Sequence, residues 1–82
     1  MNFETYARSQ NINLLRDDLS FIRRLITMLP YEIRREVLRK YCVEWVLAAN
    51  KDKNEVSSDN SGRKRANQWL MAEVFKQLKK TR

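Results

Sequence analysis

LPYEIRREVLRKYCVEWVLAAN, residues 29–50, decides the fold, because twenty residues follow Pro30 in this stretch without a Gly or a second Pro. A proline disfavours the α conformation in the residue before it and suits the first turn of a helix. The pattern predicts that one helix ends at Leu29 and that the next runs from about Pro30 to Ala49. A tight corner with almost no loop joins the two.

The second half of this predicted helix, residues 43–49, is apolar on nearly every side, and Glu44 alone interrupts it. A helix that is apolar all round must be covered all round. A chain of 82 residues can bury only a modest fraction of its surface, so two interpretations stay open. Either the rest of the monomer wraps this segment or a second copy covers it. We favour a homodimer, and the predicted interface consists of Val43, Trp45, Val46 and Leu47.

Two helices are predicted before Pro30. A short one covers residues 2–9, with Asn2 as its cap. A longer one is capped by Asn11 or Asn13 and runs to about Met28. Its apolar positions follow a spacing of 4, 3, 4 and 3, which is typical of a packed helix face, and they are Leu15, Leu19, Ile22, Ile26 and Leu29.

After this stretch the composition changes. Residues 50–62, NKDKNEVSSDNSG, are polar and predict an exposed loop. Ser61 is the predicted cap of a basic helix over residues 62–80. We therefore predict a single all-α domain spanning residues 1–82. It is a small bundle of three main helices with a short N-terminal helix, and we expect it to be oligomeric.

The composition excludes several kinds of chemistry. The chain has no His and one Cys, so a zinc site or a Cys–His nucleophile has too few side chains. One Gly cannot build a phosphate-binding loop. We therefore expect no enzymatic activity, no metal and no cofactor. No apolar run is long enough to span a membrane and the N-terminus lacks a secretory signal, so with the single Cys42 we expect a cytoplasmic protein without a membrane partner.

The net charge is +7, and residues 63–82 contain seven basic side chains against Glu73. The basic residues Arg34, Arg35, Arg39 and Lys40 are interpreted as a self-paired surface, because Glu32 lies three positions before Arg35, and Glu36 lies three before Arg39 and four before Lys40. Arg63, Lys64 and Arg65 have no acid three or four residues downstream and lie in the first turn of the predicted helix, where the dipole disfavours cations and free N–H groups favour phosphate. The predicted nucleic-acid-binding residues are Arg63, Lys64, Arg65, Asn67, Lys76, Lys79 and Lys80.

Several short sequence motifs of this chain resemble those of a known class of proteins. Leu29-Pro30, followed by Arg34, Arg35 and Tyr41, and later by Arg65-Ala66-Asn67 and Trp69-Leu70, resembles small helical accessory proteins of temperate tailed phages and prophages. The resemblance implies a role around phage DNA metabolism, regulation or host interaction, and it supplies no catalytic residue.

The leading hypothesis is a non-enzymatic accessory or regulatory protein that binds nucleic acid through phosphate contacts from its basic C-terminal helix. The alternative is a helical protein–protein interaction module, such as a phage-type adaptor or host-factor binder, with no nucleic-acid role. Both Trp45 and Trp69 are predicted to belong to the core rather than to a stacking surface.

Overall fold

The computed structural model describes residues 2–52 and 55–80, and within them the chain forms four α-helices and no strand. They are α1 (Phe3–Ser9), α2 (Arg16–Ile26), α3 (Tyr31–Lys51) and α4 (Glu55–Lys80). The all-α prediction is confirmed. No helix in the described part of the chain is long and apolar enough to cross a membrane.

The short helix α1 is present with its predicted cap, since Asn2 Oδ1 accepts a hydrogen bond of 2.8 Å from the Thr5 N–H. After α1 ends, the chain turns towards α2 at Asn11 and Ile12. Asn11 adopts a positive φ of 62°, a conformation that asparagine tolerates better than most residues. The next N–H, from Ile12, bonds back to the Ala7 carbonyl, and Ile12 becomes part of the core.

Helix α2 begins at Arg16, so the predicted caps Asn11 and Asn13 are wrong. Leu15 precedes the first turn and has no polar side chain to cap it. Asp18 compensates, because its carboxylate accepts a 2.9 Å hydrogen bond from the Leu15 N–H. This reciprocal bond satisfies a donor that the helix itself leaves unpaired.

The helices on either side of Pro30 are joined by a short connection, but α2 ends at Ile26, three residues before the predicted end at Leu29, and α3 begins at Tyr31. Arg34 reaches back across this corner. Its guanidinium donates through Nε to the Leu29 carbonyl at 3.0 Å and through Nη2 to the Thr27 carbonyl at 3.3 Å. One arginine of the predicted self-paired surface therefore stabilises the connection between two helices, whereas Arg39 does pair with Glu36, at 3.1 Å.

Helices α3 and α4 form an antiparallel hairpin that contains most of the core. The contacts show the antiparallel direction, because the later α3 residue meets the earlier α4 residue. Tyr41 hydrogen-bonds Asn67, whereas Trp45 packs on Gly62. Two rows of buried side chains meet between them. The row on α3 is Val37, Tyr41, Cys42 and Trp45, and the row on α4 is Ala66, Leu70 and Val74.

The predicted subunit interface is partly corrected by this packing. Trp45 is 1% exposed and lies inside the monomer, so it is not available to a second copy. Val43 and Leu47 are 51% and 53% exposed on the side of α3 that turns away from this core, and Val46 is half-buried. The monomer therefore covers one side of the apolar segment and leaves the other side in solvent.

The polar loop predicted for residues 50–62 is wrong over most of its length. Residues 50 and 51 belong to α3, and α4 begins at Glu55, so Ser61 lies inside a helix and is not its cap. Residues 53 and 54 of the predicted loop lie outside the described residues. Side-chain contacts with Asp52 favour the helical conformation at the start of α4. The Asp52 carboxylate accepts hydrogen bonds from the hydroxyls of Ser57 at 2.8 Å and Ser61 at 2.6 Å.

Candidate functional site

Arg63 lies in the third turn of α4, and not in the first turn as predicted. The helix dipole and the free N–H groups that favoured a phosphate site are therefore absent at this position. The guanidinium donates instead through Nε to Asp18 Oδ2 at 2.8 Å, through Nη1 to Asn60 Oδ1 at 2.9 Å and through Nη2 to the Asn13 carbonyl at 3.1 Å.

The Arg63–Asp18 ion pair joins α4 to α2, and the same guanidinium contacts Trp45 of α3. The side chains of Arg63 and Asp18 are 20% and 5% exposed, and the guanidinium lies 5.1 Å from the centre of the Trp45 ring. Partial burial strengthens such a pair and makes the loss of either partner costly. Arg63 thus connects α2, α3 and α4, and its hydrogen-bonding groups are engaged within the monomer.

Asn67 also has a structural role. Its Oδ1 accepts a 2.6 Å hydrogen bond from the Tyr41 hydroxyl in the interior of the hairpin. Burial raises the pKa of Tyr41 well above its usual range, so the hydroxyl stays protonated and keeps this bond. Burial likewise raises the pKa of the neighbouring Cys42 thiol to about 11, which leaves it protonated and unreactive at neutral pH.

The remaining predicted residues lie outside the core. Arg65 forms an ion pair with Glu44 at 3.5 Å, and because its side chain is 56% exposed this pair contributes less than about 1 kcal/mol. The four lysines of α4 are exposed, and within residues 2–52 and 55–80 none of them forms an ion pair; they are Lys64, Lys76, Lys79 and Lys80. The predicted site thus divides into buried structural groups and solvent-exposed cations.

An exposed apolar row runs along the same helix. Met71, Phe75 and Leu78 are 44%, 60% and 37% exposed, although all three belong to an apolar helix face by spacing. Intervals of four and three residues place them on one side of α4. Gln68, three residues before Met71, is exposed and continues the row. We call Gln68, Met71, Phe75 and Leu78 the outer seam.

Two of the four lysines border the outer seam. Lys79 follows Phe75 by four residues and Lys64 precedes Gln68 by four, so both lie along it. Lys76 and Lys80 lie on the other side of α4, about 100° or more of rotation from Met71, Phe75 and Leu78. Glu73 is half-buried and accepts a 3.0 Å hydrogen bond from Gln77. The seam is thus apolar from Met71 to Leu78, with Lys64 before its first residue and Lys79 beside Phe75.

Sequence reasoning missed this seam because α4 has apolar residues on two sides. Met71 and Phe75 look like a widening of the buried face that Ala66, Leu70 and Val74 define. The sequence alone does not show which side α3 covers. The spacing of 3, 4 and 3 from Gln68 to Leu78 is the signal that could have identified a second face.

In comparisons with known proteins, no protein family, no curated protein and no solved structure matches the chain. The resemblance to phage accessory proteins therefore stays a prediction.

Proposed function

We propose that this chain is a non-enzymatic interaction protein that binds a partner protein with an acidic surface along the outer seam of α4. The observation that supports this proposal is the exposed Phe75, flanked by Met71 and Leu78 and bordered by lysines without ion pairs among the described residues. Aromatic and methionine side chains are enriched at protein interfaces relative to the rest of the surface.

The two parts of this surface have different physical effects on binding. Burial of a large apolar side chain contributes about 1.5–3 kcal/mol, so Phe75 and Met71 are the expected source of affinity. Exposed lysines contribute little to affinity, but they accelerate encounter with an acidic partner and disfavour a basic one. Lys64 and Lys79, which lie along the seam, are therefore the expected source of partner selectivity.

Selection from a random peptide library on the purified protein tests this proposal. We expect enriched peptides to bind the native chain and to lose about tenfold or more in affinity for the Phe75→Ser variant. The matched control is Met28→Ser, which replaces another apolar residue that is more than half exposed and lies between α2 and α3. Peptides that bind both variants as well as the native chain would place the interaction elsewhere and refute the proposal.

Nucleic-acid binding is the second candidate, and the charge of residues 63–82 favours it. In this structure its phosphate contacts would come from Lys64, Lys76, Lys79 and Lys80, since Arg63 and Asn67 are engaged in the interior. The test is a titration with labelled duplex and single-stranded DNA at about 50 mM and about 200 mM salt. Binding that weakens steeply with salt and is lost in a Lys76→Glu, Lys79→Glu double variant would support this candidate.

The homodimer is a separate proposal, supported by the exposure of Val43 and Leu47 one helical turn apart on α3. If a second copy covers them, a Leu47→Glu variant places a charge in the interface and dissociates the dimer. Sedimentation equilibrium of both chains measures this, with Met28→Glu as the control because Met28 is 54% exposed elsewhere. A native chain that is monomeric at high concentration would contradict the proposal.

A further inference from the structure

We propose that the partner presents an acidic amphipathic α-helix, which packs along the outer seam as the second strand of a short coiled coil. This inference rests on the proposed function and adds the shape and charge of the partner. It follows from the spacing of the seam, from its width and from the signs of the charges beside it.

The spacing of the outer seam is that of a coiled coil. Gln68, Met71, Phe75 and Leu78 follow one another at intervals of three, four and three residues, which are the a and d positions of a heptad repeat. Helices with apolar residues at these positions pack by inserting each side chain between four residues of the facing helix. Gln68 is the polar member of the row, and a polar a position disfavours alternative registers.

The outer seam is narrow, and this favours a partner helix over a membrane surface as the bound partner. At 3.6 residues per turn, Met71, Phe75 and Leu78 fall within an arc of about 60°. An apolar stripe confined to a and d positions is the narrow contact of a coiled coil, whereas a helix that lies in a membrane needs a broad apolar face. Lys79 lies on one side of the row and the buried Val74 on the other.

The charges argue against a second copy of this chain as the occupant. The exposed charged side chains of α4 between residues 64 and 80 are all basic, and they are Lys64, Arg65, Lys76, Lys79 and Lys80. In the heptad register of the seam, Lys64 falls at a d position and Arg65 and Lys79 fall at e positions, so two such helices facing each other would bring like charges together. Charges of opposite sign at e and g positions determine which helices pair, so the complementary strand carries Glu or Asp beside its apolar residues.

The length of the surface sets the size of the partner segment. From Lys64 to Lys80 the helix extends for about 25 Å at a rise of 1.5 Å per residue. A partner helix of two to three heptads covers this distance. Such a short segment has little helical stability alone, so it is expected to become helical when it binds.

A pair of designed peptides tests the inference. Both have about three heptads with Leu at every a and d position, and they differ at the e and g positions, where one has Glu and the other Lys. We expect the acidic peptide to bind the full chain at least about tenfold more tightly than the basic one and to gain helicity by circular dichroism. Fluorescence anisotropy of labelled peptide measures the affinities.

Two protein variants locate the binding surface. Phe75→Ser is expected to weaken binding of the acidic peptide about tenfold, while Met28→Ser leaves it within about twofold. Both positions are more than half exposed, so neither change removes core packing, and thermal melts verify that each variant is folded. Equal binding of the two peptides, or equal effects of the two variants, would overturn the inference.

A third arm uses vesicles that contain about one third phosphatidylglycerol. Vesicle binding that depends on Phe75, without binding of the acidic peptide, would assign the seam to an anionic membrane and overturn the inference. The proposed function and this inference can be refuted independently of each other. If library peptides depend on Phe75 but are neither acidic nor helical, the docking surface is correct and the acidic helix is wrong.

Discussion

Replacing Asp18 with alanine is expected to lower the free energy of unfolding by about 3 kcal/mol. The change removes the hydrogen bond that caps α2 at Leu15 and leaves Arg63 without its closest partner. Arg63 is 20% exposed, so water partly solvates the stranded guanidinium and the cost falls at the low end of the range for such pairs. For a domain of this size the melting temperature is expected to fall by about 15 °C.

Asp17 provides the matched control. It lies beside Asp18 in the first turn of α2 but is exposed, so Asp17→Ala is expected to cost only a few tenths of a kcal/mol through the helix dipole. Denaturant unfolding followed by circular dichroism measures both variants. Equal losses for the two aspartates would show that the Asp18–Arg63 pair does not stabilise the fold.

Arg63→Met completes a double-mutant cycle with Asp18→Ala. A coupling energy of about 1–3 kcal/mol between the two positions is expected for residues in one hydrogen-bond network. The cycle also affects how binding data are interpreted. Because Arg63 stabilises the monomer, weaker nucleic-acid binding by an Arg63 variant would report partial unfolding, and Lys64 or Lys79 variants test phosphate contact directly.

Much of the helical framework could be predicted because local rules determine it. The Asn2 cap, the corner at Pro30 and the buried row that contains Tyr41 and Leu70 follow from side-chain chemistry and from helical spacing. These features depend on residues within one or two turns of each other. A single sequence therefore contains the information that specifies them.

The first turns of α4 could not be predicted because distant residues stabilise them. Serine, asparagine and glycine are poor helix formers, so residues 55–62 have the composition of a loop. The hydroxyls of Ser57 and Ser61 bond to Asp52, and Arg63 bonds to Asp18, forty-five positions earlier in the chain. Once that helix extends to Glu55, the basic triplet loses its place at a helix terminus, and the argument for a phosphate site there fails.

The candidate site could be predicted only in part. Net charge identifies Lys76 and Lys79 as surface cations. Whether Phe75 belongs to the core or to an interface depends on which side of α4 packs against α3. Only tertiary contacts decide between two apolar faces of one helix, and here they bury Leu70 and Val74 and leave Phe75 in solvent.

Gly62→Ala is expected to destabilise the fold, although helix propensity alone predicts the opposite. Within a helix, alanine is favoured over glycine by about 1 kcal/mol. A Cβ at position 62, however, would lie 2.6 Å from Trp45 Cδ1, 2.7 Å from Nε1 and 2.9 Å from Cγ. These distances are well inside van der Waals contact, so either the indole or the α3–α4 spacing has to change.

The indole has little freedom to move. Trp45 is 1% exposed, its ring lies 6.2 Å from the Tyr41 ring, and Arg63 covers it at 5.1 Å. Overpacking of a rigid site costs about 1–3 kcal/mol and occasionally more. We expect the clash to exceed the gain in helix propensity, with a net loss of about 1–2 kcal/mol in denaturant unfolding.

Gln68→Ala is the control for propensity, since Gln68 is exposed on the same helix and its replacement is expected to change stability by a few tenths of a kcal/mol at most. Trp45→Phe tests the mechanism. A smaller ring without Nε1 can turn away from position 62, so Gly62→Ala is expected to cost less in that background. If Gly62→Ala stabilises the native chain, the close packing of Trp45 on Gly62 is wrong, and with it the contact that explains why a glycine stands in the middle of α4.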